Sequence, residues 1–257
     1  MYKLSIITVT FNDLEGLKVT IDSIDKVLNN NFFSVVHCII DGNSSDGTSL
    51  FLNNSLRFRK IPTFFVSDPD LGIYDAMNKG VLFSESDFVI FINAGDILLP
   101  EILNSDIAEL LDSSLEDPFC AGIAFGCMYN FNGFRIRINP RCFNSNFPRM
   151  PSLHQGIIYK RSVLVEIPYS LKYKICSDFE NVCKICAKYN FRIKKVFVSE
   201  LFAGGVSTKS PFFLFSESFD IYIKLFTPNF LNKIVYMLKL IFSLLVVQVL
   251  FKFSKFF

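Results

Sequence analysis

The sequence predicts an α/β fold, a mostly parallel sheet flanked by helices, on two observations. Short β-branched apolar runs alternate with segments whose apolar residues recur at spacings of three and four. Each of the first four runs stops abruptly at Asp, Asn, Gly or Ser, the residues that build turns and helix caps. Strand–helix repetition of this kind lays successive strands in parallel and puts the helices on the faces of the sheet.

Residues 4–9 are β-branched and apolar and fit a buried strand. Asn12 with Glu15 three positions on makes a capping-box pattern. Leu14, Leu17, Ile21, Ile24 and Leu28 then trace the apolar stripe of a helix. Val35–Ile40 is the second strand, ending at Asp41-Gly-Asn-Ser-Ser-Asp-Gly47, and Thr48–Leu52 opens a second helix. Thr63–Val66 is a third strand, Leu71–Phe83 a helix, and Phe88–Ile92 a fourth strand running into Asn93-Ala-Gly-Asp96. Beyond it, Ala121–Tyr129 and Phe134–Ile138 read as strands around Asn132-Gly133, a hairpin signal. Residues 141–151 read as a loop and Ile157–Tyr159 as a short strand. Ser177 with Glu180 is a second capping box, and Phe191–Val198 a last strand.

Composition narrows the function classes. The 257 residues are 51% apolar and 19% charged, with 31 phenylalanines and no tryptophan, too apolar for a disordered chain. Seven cysteines are too few for a disulfide scaffold. Cys183 and Cys186 share a helical face with Cys176, Phe179, Val182 and Ala187, so they read as packing residues rather than metal ligands. The net charge of +2 predicts no nucleic-acid partner. No long apolar stretch with a small-residue cleavage site follows Met1, so a cytosolic chain is expected.

Ligands of open α/β sheets bind beyond the carboxyl ends of the strands. Those ends carry Thr10-Phe11-Asn12, then Asp41 with Ser44 and Asp46, then Asp68 and Asp70, then Asn93 and Asp96. A carboxylate-lined crevice suits Mg²⁺ or Mn²⁺ with a phosphorylated substrate. Neither a Gly-x-Gly-x-x-Gly fingerprint nor a Walker loop is present, which weighs against hydride transfer and P-loop chemistry.

Ile6-Ile-Thr-Val-Thr-Phe-Asn12, Ile40-Asp-Gly-Asn-Ser-Ser-Asp-Gly-Thr48, Asp68-Pro-Asp-Leu-Gly-Ile-Tyr-Asp-Ala-Met-Asn-Lys-Gly80 and Phe91-Ile-Asn-Ala-Gly-Asp96, in that order, resemble family 2 glycosyltransferases. His154-Gln-Gly156, Ser177-Asp-Phe-Glu180 and Gly204-Gly-Val-Ser207 extend the resemblance, which looks most like the bacterial exopolysaccharide, capsule and O-antigen branch. It implies a GT-A fold with a Rossmann-like sheet and an inverting transfer from a nucleotide-diphosphate sugar, most often UDP-linked. It implies that Thr10, Phe11, Asn12, Asp41 and Ser44 hold the nucleotide, with Asp41 accepting from the base, and that Asp70, Asn78 and Asn93 hold nucleotide or donor sugar. Asp96 is the implied ligand of Mg²⁺ or Mn²⁺; Asn93 and Gly95 stand where the family has further acids. Asp178 is the implied base, with Glu180 as the alternative, although capping also favours acids there. His154 and Gln155 are implied donor or acceptor contacts, and Arg149, with Arg141, an implied partner of a lipid diphosphate.

Residues 209–257 hold six lysines and two acids, +4, which leaves residues 1–208 at −2. The sequence thus divides into a catalytic body, 1–208, and a basic apolar tail, 209–257. Residues 234–251 carry one charge, Lys239, and fall short of the about 20 apolar residues of a spanning helix. A helix lying in the interface on the cytosolic face of the membrane is the first reading; a short anchor and a helix packed on the body are the alternatives. By this reading, cutting the chain near residue 210 raises its solubility. A membrane address suits a lipid-linked glycan acceptor. Two rival functions stay open: an inactive glycan-binding or assembly subunit, favoured by the thinned acid cluster, and a sugar nucleotidyltransferase, disfavoured because no Gly-rich basic loop follows the first strand.

Overall fold

A computed structural model describes residues 3–27, 34–102, 104–131, 133–202 and 210–253. Its N-terminal half alternates as expected: β1 (Lys3–Thr10), α1 (Leu14–Val27), β2 (Ser34–Asp41), α2 (Thr48–Ser55), β3 (Thr63–Ser67), α3 (Ile73–Phe83) and β4 (Phe88–Phe91). There follow β5 (Ile97–Leu98), α4 (Ser105–Glu116), β6 (Cys120–Phe131), β7 (Phe134–Ile138), β8 (Ile157–Lys160), α5 (Arg161–Glu166), α6 (Ser177–Ile185), β9 (Asn190–Phe202), α7 (Pro211–Phe226) and α8 (Phe230–Phe253).

Among the described residues the strands form one sheet, ordered β3-β2-β1-β4-β8-β6-β9-β5, with β7 paired to β6. The β3-β2-β1-β4 half is parallel. Beyond it the sheet is mixed: β8 runs antiparallel to β4 and to β6, while β6 and β9 are again parallel. The reversal matters, because Ile158 pairs with Ile90. The start of β8, and the turn before it, therefore lie beside the end of β4.

Both faces of the sheet are covered, which is why β1 is apolar without alternation. Ile7, Val9, Cys38, Ile40, Val89 and Phe91 meet Tyr74 and Met77 of α3 and Val182 of α6 on one side. Leu4, Ile6, Phe88 and Ile90 meet Ile24 of α1 and Ile107 and Leu111 of α4 on the other. Helix α4 lies outside the sequence expectations although its signal is present: Asn104 Oδ1 accepts from Ile107 N, a side-chain cap. The β6–β7 hairpin is as expected, with Gly133 at φ +95; Asn132 lies outside the described residues.

Both expected capping boxes are corrected. At α1 the cap is Asp13, whose Oδ1 accepts from Gly16 N, while Asn12 sits in the left-handed region and uses its side chain elsewhere. At α6 the residue before the helix is Cys176, and Ser177 points its hydroxyl at Ser170 O. The cysteines are free, and Cys176 and Cys183 pack with Phe179 as the helical spacing predicts.

Helix α7 packs on the body. Leu214, Ile221 and Phe226 of α7 close over Tyr173, Cys176, Phe179 and Cys183 of the body. Glu217 accepts from the amides of Lys174, Ile175 and Cys176, all at 2.9 Å, and so holds the segment that leads into α6. A cut near residue 210 removes this cover and exposes apolar core, contrary to the expected gain in solubility. Glu217→Ala should lower stability by about 2 kcal/mol, the scale of hydrogen bonds to a charged, half-buried group. A shift of the urea midpoint, with Glu217→Gln intermediate, checks this.

Candidate active site

The four strand ends and the turn before β8 converge on one edge of the sheet. The loops after β1 and β2 are tied together first. Ser44 Oγ accepts from Asn12 N and donates to Asp41, and Asn12 Oδ1 accepts from Ser45 N. Asp46 accepts from Leu14 N and from the amide and hydroxyl of Thr48. It therefore ties together the first backbone N–H of α1 and of α2, and the Thr48 hydroxyl is the main cause holding its carboxyl below the usual range.

Two implied donor contacts are engaged within the protein here. Asp41 is fully buried, and its oxygens are engaged by the hydroxyls of Ser44 and Ser67. It sets the loop, its oxygens also lying within reach of the Ser44 amide. Asn78 is taken up by the backbone of Tyr169, donating to its carbonyl at 2.8 Å and accepting from its amide at 2.9 Å. It braces the 169 segment against α3. Asp70, by contrast, is open. One oxygen accepts from Gly72 N, and the other stands where a side chain on Gly42 would lie, 2.6 Å from an ideal Cβ. The ring of Phe11, 64% exposed, borders the same space at 3.2 Å. Phe11, Gly42 and Asp70 thus form a notch with an aromatic wall and a free carboxylate oxygen.

The chemistry-bearing groups meet one step along the edge. A short 3-10 turn, His154–Gly156, precedes β8. His154 Nδ1 lies 3.3 Å from Asp178 Oδ2, and its Nε2 lies 3.1 Å from the Asn93 amide nitrogen. With the amide donating, Nε2 is the acceptor, and Nδ1–H donates to Asp178. The next residue, Gln155, donates from Nε2 to Asp96 Oδ2 at 2.8 Å. Two adjacent side chains therefore hold the two acids that the sequence singled out. The other oxygen of Asp178 accepts from Phe179 N at 2.8 Å and lies 3.1 Å from the hydroxyl of Tyr74, a partner the sequence reading missed. Tyr74 lies inside the quoted Asp68–Gly80 motif, but nothing in the spacing links it to a residue 104 positions away. His37, the other histidine, is fully buried between Thr8 and Arg59 and is a core residue.

Asp96 is 8% exposed, and burial pushes its carboxyl up to about 6, with the Gln155 hydrogen bond pulling the other way. The hydroxyl of Thr20 ties the carbonyls of Asn93 and Asp96 together. Around this turn, Asn93 Oδ1, Gln155 Oε1 and Thr10 Oγ1 are buried without a hydrogen-bond partner. Unmet oxygens of this kind suit a ligand that takes oxygen donors. Among the described residues, no cluster of three or more His, Cys, Asp or Glu could hold a metal. The donor set is one carboxylate with neutral oxygens.

Glu180, the alternative base, is 8% exposed and pairs with Lys184 at 3.0 Å. Arg149 is exposed in the 141–150 segment and close to Arg141, whose pKa is lowered by burial and by the Arg149 charge. Neither arginine contacts Asp96 or Asp178. Gly204–Ser207 lies outside the described residues.

Comparison with known proteins places the chain in a family. The model of the family described as Glycosyl transferase family 2 matches residues 5–166. A Mycobacterium tuberculosis protein named as an uncharacterized glycosyltransferase is 33% identical over 183 residues, 70% of this chain and 67% of its own. A Mycobacterium bovis PGL/p-HBAD biosynthesis glycosyltransferase is 28% identical over 178 residues, 68% of this chain and 66% of its own. Among solved structures, S. aureus TarS 1-349 in complex with UDP superposes with a TM-score of 0.65 at 16% identity, over 93% of this chain and 70% of that one. The mannosyltransferase PcManGT from Pyrobaculum calidifontis, in complex with GDP-Man and Mn²⁺, gives 0.64 at 15% identity, over 96% and 73%. On the family match and the 33% identical relative, the chain belongs to glycosyl transferase family 2 and is a glycosyltransferase of GT-A type.

Proposed function

We propose that this glycosyltransferase moves a sugar, with inversion, from a UDP-linked donor to a lipid-linked oligosaccharide of bacterial surface polysaccharide synthesis. The observation that carries the reading is the His154–Gln155 pair, which holds Asp178 and Asp96 from one turn. A base and a leaving-group site at fixed separation are what a single displacement needs. Support for the donor class comes from structural neighbours whose complexes contain UDP, UDP-GlcNAc and GDP-Man. A glycolipid-type acceptor is in keeping with the name of the Mycobacterium bovis relative.

In this reading the base of the nucleotide enters the notch of Phe11, Gly42 and Asp70. The free Asp70 oxygen accepts from a ring N–H, the role that the resemblance gave to Asp41. The diphosphate lies toward Asp96. Asp96, Asn93 Oδ1 and Gln155 Oε1 fit a hard divalent cation, Mg²⁺ or Mn²⁺, completed by phosphate oxygens and water. Such a cation supplies charge stabilisation to a departing diphosphate. Asp178 takes the proton of the acceptor hydroxyl while its oxygen bonds to the anomeric carbon; the bond to the diphosphate breaks on the opposite face, and its electron pair leaves with the phosphate. His154 Nδ1–H and Phe179 N–H keep the base oriented.

Isothermal titration and donor-hydrolysis assays with UDP-, GDP- and TDP-sugars, with and without Mn²⁺, test the reading. Binding of a UDP-sugar that strengthens with Mn²⁺, and weakens at least tenfold in Gly42→Val, is expected; binding of none of them refutes it. The assembly-subunit reading keeps one observation in its favour, the single charged residue on the Asn93–Asp96 turn.

A further inference from the structure

We infer that α8, with the cationic flank of the 141–150 segment, is a surface that docks flat on an anionic bilayer. Six exposed apolar residues of α8 are Phe230, Leu231, Leu238, Ile241, Phe242 and Leu245, between 41% and 78% exposed. At 3.6 residues per turn they fall within an arc of about 120°. Tyr236 lies opposite the middle of that arc; it is 5% exposed and stacked on Tyr222 of α7 at 4.0 Å. The helix is therefore held to the body by one side and bares a continuous apolar stripe on the other. Lys233 and Lys239 fall on either side of the stripe, at its two margins.

This arrangement selects the occupant. A helix embedded at a membrane interface needs an apolar face with cations at its borders, so that their stems lie along the apolar phase and their charges reach the headgroups. No helix among the described residues is long and apolar enough to cross a membrane; α8 bares one side only, its other side being held to the body through Tyr236, which suits a helix lying on the bilayer. The body adds charge beside it. Lys239 Nζ stands 3.5 Å from the centre of the Phe147 ring, which joins α8 to the 141–150 segment. Among the described residues, neither Arg141 nor Arg149 has a carboxylate partner; both stay available for phosphate headgroups.

The inference stands apart from the donor chemistry, and its test reads a different signal. The full chain is sedimented with vesicles of phosphatidylcholine alone and of an equal mixture of phosphatidylcholine and phosphatidylglycerol. Partition onto the mixed vesicles should be stronger by about tenfold or more, at about a factor of five per arginine near a charged surface. The Leu238→Asp/Phe242→Asp protein should lose partition onto both vesicle types, with its circular dichroism and UDP-sugar binding unchanged. Arg141→Gln/Arg149→Gln should lose only the preference for phosphatidylglycerol. Vesicle binding that survives the double aspartate substitution overturns the inference. So does a wild-type chain that ignores vesicles and elutes as a dimer which that substitution makes monomeric, because the stripe is then covered by a second copy.

Discussion

Asp178→Asn should lower turnover by about 10³-fold, within the range for loss of a general base, while leaving donor affinity unchanged. The substitution keeps the size of the side chain and the hydrogen bonds that one oxygen accepts from Phe179 N and Tyr74, and gives up only the one that the other accepts from His154. What it removes is a group able to take the acceptor's proton. His154 provides the internal control, because it touches the base and not the donor notch. His154→Asn puts an amide N–H where Nδ1–H stands and should keep most of kcat. His154→Ala frees the Asp178 carboxylate and should lower kcat by about tenfold to a hundredfold, with a smaller change in the KM for donor through the lost Asn93 contact. A merely structural role would move both parameters, or thermal stability, in both variants. Glu180→Gln should change kcat by less than a few-fold, since Glu180 is paired to Lys184 within its own helix. If Asp178→Asn leaves turnover intact and Glu180→Gln abolishes it, the assignment reverses. If Asp178→Asn leaves function in cells intact and no turnover is measurable in either protein, the assembly-subunit reading replaces it.

The parts of this site that were legible in the sequence are those that a strand end supplies locally. An apolar run that stops at Asp41 or Asn93 announces both the strand and the loop after it, because buried parallel strands carry little polarity of their own. Pairings between distant elements carry no such signal. That β8 runs antiparallel, bringing His154 beside Asn93, depends on which neighbour β8 chooses. No periodicity in Ile157–Lys160 encodes that choice. For the same reason the sequence presents Asp41 and Asn78 as ligand contacts without showing their internal partners. A polar residue at a sheet edge looks alike from the sequence whether it faces a ligand or Ser44, Ser67 and the backbone of Tyr169. The tail shows the same limit. Its composition separates it from the body, yet Glu217 and Ile221 bind half of it down by contacts with residues more than 35 positions away.

Asp96→Asn should raise the stability of the ligand-free protein at neutral pH and abolish cation-dependent donor binding. Burial lifts the folded-state carboxyl to about 6, above its ordinary value of 3.8. Below 3.8 the group is protonated whether the chain is folded or not, and contributes no difference. As pH rises from 3.8 to about 6, the unfolded chain gives up the proton while the native state keeps it, so stability falls across that window. Above 6 the native state carries a buried charge whose cost levels off at about 3 kcal/mol, an upper figure for a group that Gln155 partly offsets. The isosteric amide keeps the partner Gln155 and carries no charge. Its melting temperature should therefore exceed that of the wild type at pH 7.5, and the two should converge at pH 4. Binding follows the opposite sign. The carboxylate must be ionised to hold a cation, so Mn²⁺-assisted nucleotide binding by the wild type should weaken about tenfold per unit below pH 6. A thermal melt across pH reads the first effect, and titration with UDP and Mn²⁺ reads the second. If the amide melts no higher at pH 7.5, Asp96 is not the strained buried charge described above. If it still binds UDP more tightly with Mn²⁺, the cation sits elsewhere on the sheet edge.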